Sequence, residues 1–131
     1  MTTLDRTRLL IIAGLCGSFG VIVVAKEPSK TTPPTPPPQF AVCAACHTTS
    51  ADGEHSMGPN LRGVVGRKAG TAPGFQYSQA MRASGIRWTP EELDSYLTDV
   101  AAKVPGTLMP FNGFPDAQDR QAVIGYLKSL E

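Results

Sequence analysis

Two thiols three residues apart with an imidazole directly after them, Cys43-Ala44-Ala45-Cys46-His47, restrict what this chain of 131 residues can fold into more than any other run. Thiols and imidazole at that spacing form the attachment pattern of a c-type haem. Each thiol adds to one vinyl group on the same edge of a porphyrin and the histidine turns a nitrogen toward the iron, so the ring and its first ligand are fixed together. In a domain this small, a large apolar ring at the centre supplies much of what holds the chain together. Two other readings use the same residues, a redox Cys-x-x-Cys and half of a zinc site. The first calls for a neighbouring βαβ pattern and the second for another ligand pair. The chain offers neither, since its other histidine is His55 and its other cysteine is Cys16, inside an apolar run.

Iron held by His47 has an opposite position, which an electron carrier closes with a ligand suited to both oxidation states. Of the four methionines, Met1 is terminal, Met57 follows His47 too soon to reach the far face, and Met81 lies inside a short helical pattern. Met109 is the candidate. It stands in Pro105-Gly106-Thr107-Leu108-Met109-Pro110-Phe111, where proline and glycine start a tight turn and Pro110 biases Met109 toward extended backbone. A lone methionine more often fills a gap in a core. Thioether ligation raises the iron potential and favours electron transfer over oxygen binding.

Helical signals recur after the motif. Residues 78–84 read as a short helix capped by Ser78 and stopped by Gly85. Thr89-Pro90-Glu91-Glu92 combines an N-cap, a first-turn proline and a glutamate three residues on. Leu93, Tyr96, Leu97, Val100 and Val104 follow at helical spacing, which predicts one helix running to Pro105. Asp116 opens a last helix with Val123, Tyr126, Leu127 and Leu130 on one face. No alternating strand pattern and no internal repeat is present, so the expected class is all-α with long loops.

The first 38 residues divide into three. Residues 1–8 carry Arg6 and Arg8, residues 9–25 are uncharged and apolar, and residues 26–38 contain six prolines. At about 1.5 Å per residue, the 17 residues of the apolar run are at the short end of what crosses a bilayer. The run reads as an uncleaved transmembrane anchor, because Val23-Val24-Ala25 makes a poor small-x-small cleavage site; a signal peptide is the other reading. The arginines keep the N-terminus in the cytoplasm by the positive-inside tendency, which sends the remainder to the periplasmic side. Proline-rich residues 26–38 prefer extended polyproline II and form a stiff spacer of about 40 Å at roughly 3.1 Å per residue. Nucleophilic triads, phosphate loops and basic nucleic-acid patches are all absent from the sequence, so no nucleic-acid partner is expected.

Over residues 40–131 the sequence resembles the class I cytochrome c family, in its mitochondrial and bacterial c2-like branch. The resemblance rests on Cys43, Cys46 and His47; Gly58-Pro59-Asn60-Leu61; Gly66-Arg67-Lys68-Ala69-Gly70; Gly74-Phe75-Gln76-Tyr77-Ser78; Trp88; Leu93 with Tyr96-Leu97; Pro105 to Met109; and Tyr126-Leu127. It implies a small all-α cytochrome c fold around one covalent haem c, in residues 39–131, with His47 and Met109 as axial ligands. It further implies that the Pro59 carbonyl accepts from the second ring nitrogen of His47. Tyr77 and Trp88 resemble donors to a haem propionate, Arg67 the cation that offsets its charge, and Tyr96 and Thr107 the polar neighbours of the Met109 sulfur and haem edge. The implied role is electron transfer without substrate chemistry, from a cytochrome bc1-type complex to a cytochrome c oxidase or photosynthetic reaction centre. Other readings are a fixed haem subunit of a membrane oxidoreductase, a periplasmic carrier freed by signal cleavage, and a haem sensor or peroxidase.

Two departures carry expectations. Pro36 to Pro38 stand where relatives begin a full first helix, so that helix is expected to be short and its contact with Tyr126 and Leu127 reduced. Mitochondrial relatives are strongly basic around the haem edge, whereas residues 39–131 hold eight Lys or Arg against nine Asp or Glu, a net −1, and Leu108 stands where lysine is common. Weak net charge implies weak steering toward an acidic partner. Tethering substitutes for it by raising effective concentration.

Overall fold

The computed structural model describes residues 34–130. The apolar run at 9–25 and most of the proline-rich segment at 26–38 lie outside the described residues. Among the described residues no helix is long and apolar enough to cross a membrane.

The chain enters the domain through a single 3-10 turn, Pro38–Phe40, and then α1, Ala41–Ala44. Pro38 is tolerated because it occupies the first helical position, where its missing N–H has no partner to lose. The first helix is short, as the prolines require. It meets the last helix through the buried ring of Phe40, edge-on to Tyr126 at 4.6 Å, and through Gln39 Nε2 donating to Asp119 Oδ1 at 2.9 Å.

Helix α2, Gln79–Ala83, is capped by Ser78, whose hydroxyl accepts the Met81 N–H at 3.1 Å. Thr89 caps α3, Pro90–Thr98, by accepting the Glu92 N–H at 3.2 Å. The Glu92 carboxylate pairs with Lys103 Nζ at 2.7 Å. One continuous helix to Pro105 is not what forms. The chain breaks at Asp99, extended at φ −156° and ψ 103°, and restarts as α4, Val100–Lys103. The reason is local: the Asp99 carboxylate accepts the Ala102 N–H at 2.9 Å, and aspartate competes for such N-cap positions better than it sustains a helix interior. Val100 and Val104 remain buried across the break.

Asp116 caps α5, Ala117–Lys128, with its Oδ1 accepting the Gln118 N–H at 2.7 Å. Helix α5 packs on α3 through Leu93, Leu97, Val123, Ile124 and Leu127. Arg120 fastens the pair. Its Nε donates to Asp94 Oδ1 at 2.9 Å while a second nitrogen reaches the carbonyls of Phe114 and Pro115. No strand forms among the described residues; Lys68 and Arg87 make one isolated bridge. The all-α class with long loops therefore holds for the domain.

Candidate haem site

The motif helix, the 57–67 loop, residues 75–78 and the 107–110 loop surround a cavity of about 480 Å³, floored by α3 and α5. The ten residues singled out from the sequence, Cys43, Cys46, His47, Pro59, Arg67, Tyr77, Trp88, Tyr96, Thr107 and Met109, all line it.

His47 follows α1 directly, its backbone N–H returning to the Cys43 carbonyl at 2.9 Å. Its Nδ1 lies 2.7 Å from the Pro59 carbonyl, which can only accept, so the proton sits on Nδ1 and Nε2 keeps its lone pair. Burial pushes the imidazole below its ordinary pKa and the Pro59 bond opposes that; the net direction favours the neutral ring that a metal ligand requires. Gly58 lies flat against this imidazole: a Cβ built there would come within 2.5 Å of it. Burial also raises the Cys43 thiol to about 11. That disfavours the redox Cys-x-x-Cys reading, which needs a thiolate near neutral pH.

Three methionines line the cavity: Met57 is exposed, Met81 buried, and Met109 half-buried. Met109 is distinguished by its partners. The Tyr96 hydroxyl donates to its Sδ at 3.4 Å and lies 3.4 Å from Thr107 Oγ1, while the Met109 N–H donates to Thr107 Oγ1 at 3.3 Å. Burial raises the Tyr96 phenol, against the Thr107 bond, so it stays a donor at neutral pH. Trp88 packs on Tyr96 with ring centroids 4.9 Å apart.

Arg67 is the cation of the cavity wall. Its guanidinium donates to the carbonyls of Asn60 at 3.0 Å and Arg62 at 3.1 Å, which fixes its charge in place. Burial raises the Tyr77 phenol, with Arg67 opposing, so Tyr77 is also an O–H donor at neutral pH.

Two residues that hold this wall were not assigned a role from the sequence. Asn60 is 4% exposed; its Nδ2 donates to Ser50 O at 3.0 Å, Ser50 Oγ at 3.2 Å and Glu54 O at 3.3 Å, and its Oδ1 accepts the Arg62 N–H at 2.8 Å. His55 accepts the Asn60 N–H at Nδ1, 2.9 Å, and its Nε2 meets the Pro73 carbonyl at 2.8 Å, joining two loops. The available signal was Asn60 directly after Pro59, a polar residue amid apolar ones; its burial is not visible in spacing. Asn60→Leu strands several loop polar groups at once and is expected to lower unfolding free energy by about 2–4 kcal/mol. Urea unfolding of the holoprotein checks this, and a loss under ~0.5 kcal/mol would contradict it.

The chemistry of the donor set fits a covalently held haem: two thiols, a neutral imidazole, a thioether, two phenols and a guanidinium converge on one largely apolar cavity. The fold and site define a c-type haem protein. The Cytochrome c family profile matches residues 39–131, and the chain belongs to that family. It is 51% identical over 88 residues to "Cytochrome c-type cyt cy" of Rhodobacter capsulatus, covering 67% of this chain and 43% of that protein. It is 47% identical over 94 residues to "Cytochrome c2 iso-2" of Magnetospirillum fulvum, covering 72% of this chain and 97% of that one. Among solved structures, cytochrome cH from Methylobacterium extorquens aligns with a TM-score of 0.66 and 42% identity, over 70% of this chain and 91% of its own. The family binds one covalent haem c through its Cys-x-x-Cys-His motif, and Cys43, Cys46 and His47 supply it here.

Proposed function

We propose that this chain is a membrane-tethered electron carrier, taking single electrons from a cytochrome bc1-type complex and passing them to a cytochrome c oxidase or photosynthetic reaction centre. Residues 9–25 anchor it in the bacterial inner membrane, residues 1–8 stay in the cytoplasm, residues 26–38 act as spacer, and residues 39–131 form the haem domain on the periplasmic side. One observation carries the electron-transfer reading: His47 and Met109 line the same cavity, each held by its own polar partner, Pro59 and Tyr96. Bound haem supplies an iron centre that changes by one electron.

With haem bound, Cys43 and Cys46 would hold the ring covalently, and His47 Nε2 and Met109 Sδ would be the iron ligands. Pro59 fixes the imidazole tautomer, and the Tyr96 hydroxyl draws electron density from the thioether, favouring the reduced state. Arg67 would offset the charge of the propionates, and Tyr77 and Trp88 would donate to them. His47 and Met109, restrained by Pro59 and Tyr96, would move little on a change of iron oxidation state, which would favour fast electron exchange. The relatives named cytochrome c2 support a carrier over a sensor or peroxidase. The uninterrupted run at 9–25 and the poor small-x-small site at Val23-Val24-Ala25 support the tether.

Intact mass of the haem-stained protein from carbonate-washed membranes of the native host tests the reading. Full length plus one haem, retained in the membrane, is the expected result. A soluble product that begins after the apolar run would replace the tethered carrier with a diffusing periplasmic one.

A further inference from the structure

Arg67 is half-buried and stands between two cavities. It lines the haem cavity and also a second one of about 400 Å³, whose lining includes Ser50, Asp52, His55, Asn60 and Arg62, and it is the residue common to both. Among the described residues the ion pairs are Lys103 with Glu92 and Arg120 with Asp94, so no carboxylate neutralises the Arg67 guanidinium there. What holds it is a pair of neutral carbonyls, Asn60 at 3.0 Å and Arg62 at 3.1 Å. Its charge therefore stays undiminished, and its direction depends on where those two carbonyls stand. The Asn60 side chain sets both. Its Oδ1 accepts the Arg62 N–H at 2.8 Å, and its Nδ2 donates to Ser50 and to the Glu54 carbonyl, which pins residues 60–62 to the 50–54 loop. His55 holds the same point by accepting the Asn60 N–H at 2.9 Å. Neither Asn60 nor His55 lines the haem cavity.

We propose that Asn60 is a positioning residue for the haem potential: acting through Arg67, it keeps the guanidinium at the haem wall and out of the second cavity. The inference rests on the reading above that Arg67 offsets propionate charge. The second cavity is what makes the hold necessary. It offers the guanidinium an exposed carboxylate, Asp52, and the water that reaches an exposed side chain. A cation held in the largely apolar haem cavity acts on its surroundings several times more strongly than one in water, and its positive field stabilises an added electron. Turned outward and hydrated, the same charge is screened and the reduced state loses that support. Two bonds to neutral carbonyls are worth only a modest net free energy, so they aim the side chain only while the carbonyls themselves are fixed. Buried Asn60, bonded at both ends of its amide, supplies that fixity.

A double-mutant cycle on the full-chain holoprotein tests this, with midpoint potentials measured by redox titration at one fixed pH. Asn60→Ser is expected to lower the electron affinity at least about threefold, which is ~30 mV at about 59 mV per tenfold. Arg67→Gln should lower it by at least as much. In the Arg67→Gln background, Asn60→Ser should change it by less than about 1.5-fold, because the group through which it acts has gone. An unchanged potential in Asn60→Ser overturns the proposal, and so does a drop of the same size in both backgrounds, which would mark loosened loop packing instead. If Arg67→Gln alone leaves the potential unchanged, the reading of Arg67 as the propionate cation fails, and the inference falls with it. The second readout is nuclear magnetic resonance of the reduced, 15N-labelled protein. Held by two carbonyls, the Arg67 guanidinium should give separate Nη signals in the parent and averaged ones in Asn60→Ser; signals equally separate in the variant overturn the proposal. Should Asn60→Ser fail to retain haem, the cycle is run with His55→Leu, which removes the acceptor of the Asn60 N–H from outside the haem cavity. That variant should lower the electron affinity about twofold in the parent and leave it unchanged in the Arg67→Gln background, and any other pattern overturns the proposal.

Discussion

Gly113→Ala is expected to destabilise the holoprotein by on the order of 3 kcal/mol or more, a large share of the ~5–15 kcal/mol that a small domain has in total. Gly113 has φ +101°, and a Cβ built there would lie 2.2 Å from the Thr98 carbonyl oxygen and 2.8 Å from that of Leu97. Both obstacles are backbone, so no side chain can turn aside. The close approach has a purpose in the fold: it brings the next residue, Phe114, under the end of α3, where its N–H donates to the Leu97 carbonyl at 2.7 Å and satisfies a helix-terminal acceptor. Phe114 in turn stacks edge-on with Phe111 at 4.9 Å, two residues beyond Met109. Displacing residue 113 therefore loosens the strap that carries Met109 as well as the α3 terminus. Guanidinium unfolding followed by haem absorbance measures the loss. A midpoint indistinguishable from the parent would mean that the strap relaxes without cost, contrary to the close packing of these backbones.

What could be read from residues was mostly what local chemistry decides. The caps at Ser78, Thr89 and Asp116 are side-chain to backbone bonds within a turn, and each forms where the residue pattern places it. The site was legible for a similar reason, since the motif fixes three groups in five residues and Pro105 to Pro110 marks a stiff loop. Asp99 was not legible as a break. Val100 and Val104 keep the apolar period through it, and periodicity records the buried face while remaining blind to an aspartate that caps the following turn. Asn60 and His55 escaped because their partners, Ser50, Glu54 and Pro73, meet them only after long loops have folded back.

Met109→Leu is expected to lower the midpoint potential by on the order of 100 mV or more, within the ~0.8 V range that axial ligands command. The leucine keeps apolar volume in the loop and removes the thioether, so a change in potential reports ligation and not collapse. Since about 60 mV is tenfold in electron affinity for a one-electron couple, a shift of this size separates a ligand from a core methionine. The reduced variant should also bind carbon monoxide, which the parent, with its sixth position closed, should not. Tyr96→Phe supplies the graded control. It keeps the ring against Trp88 and deletes only the hydroxyl that donates to Sδ and neighbours Thr107, so the potential should fall in the same direction by several-fold less. Should Met109→Leu leave both potential and carbon monoxide binding unchanged, the ligand would have to be sought in Met81 or Met57, the other thioethers lining the cavity. Neither of those is among the hydrogen-bond partners of Tyr96, which is why the geometry favours Met109.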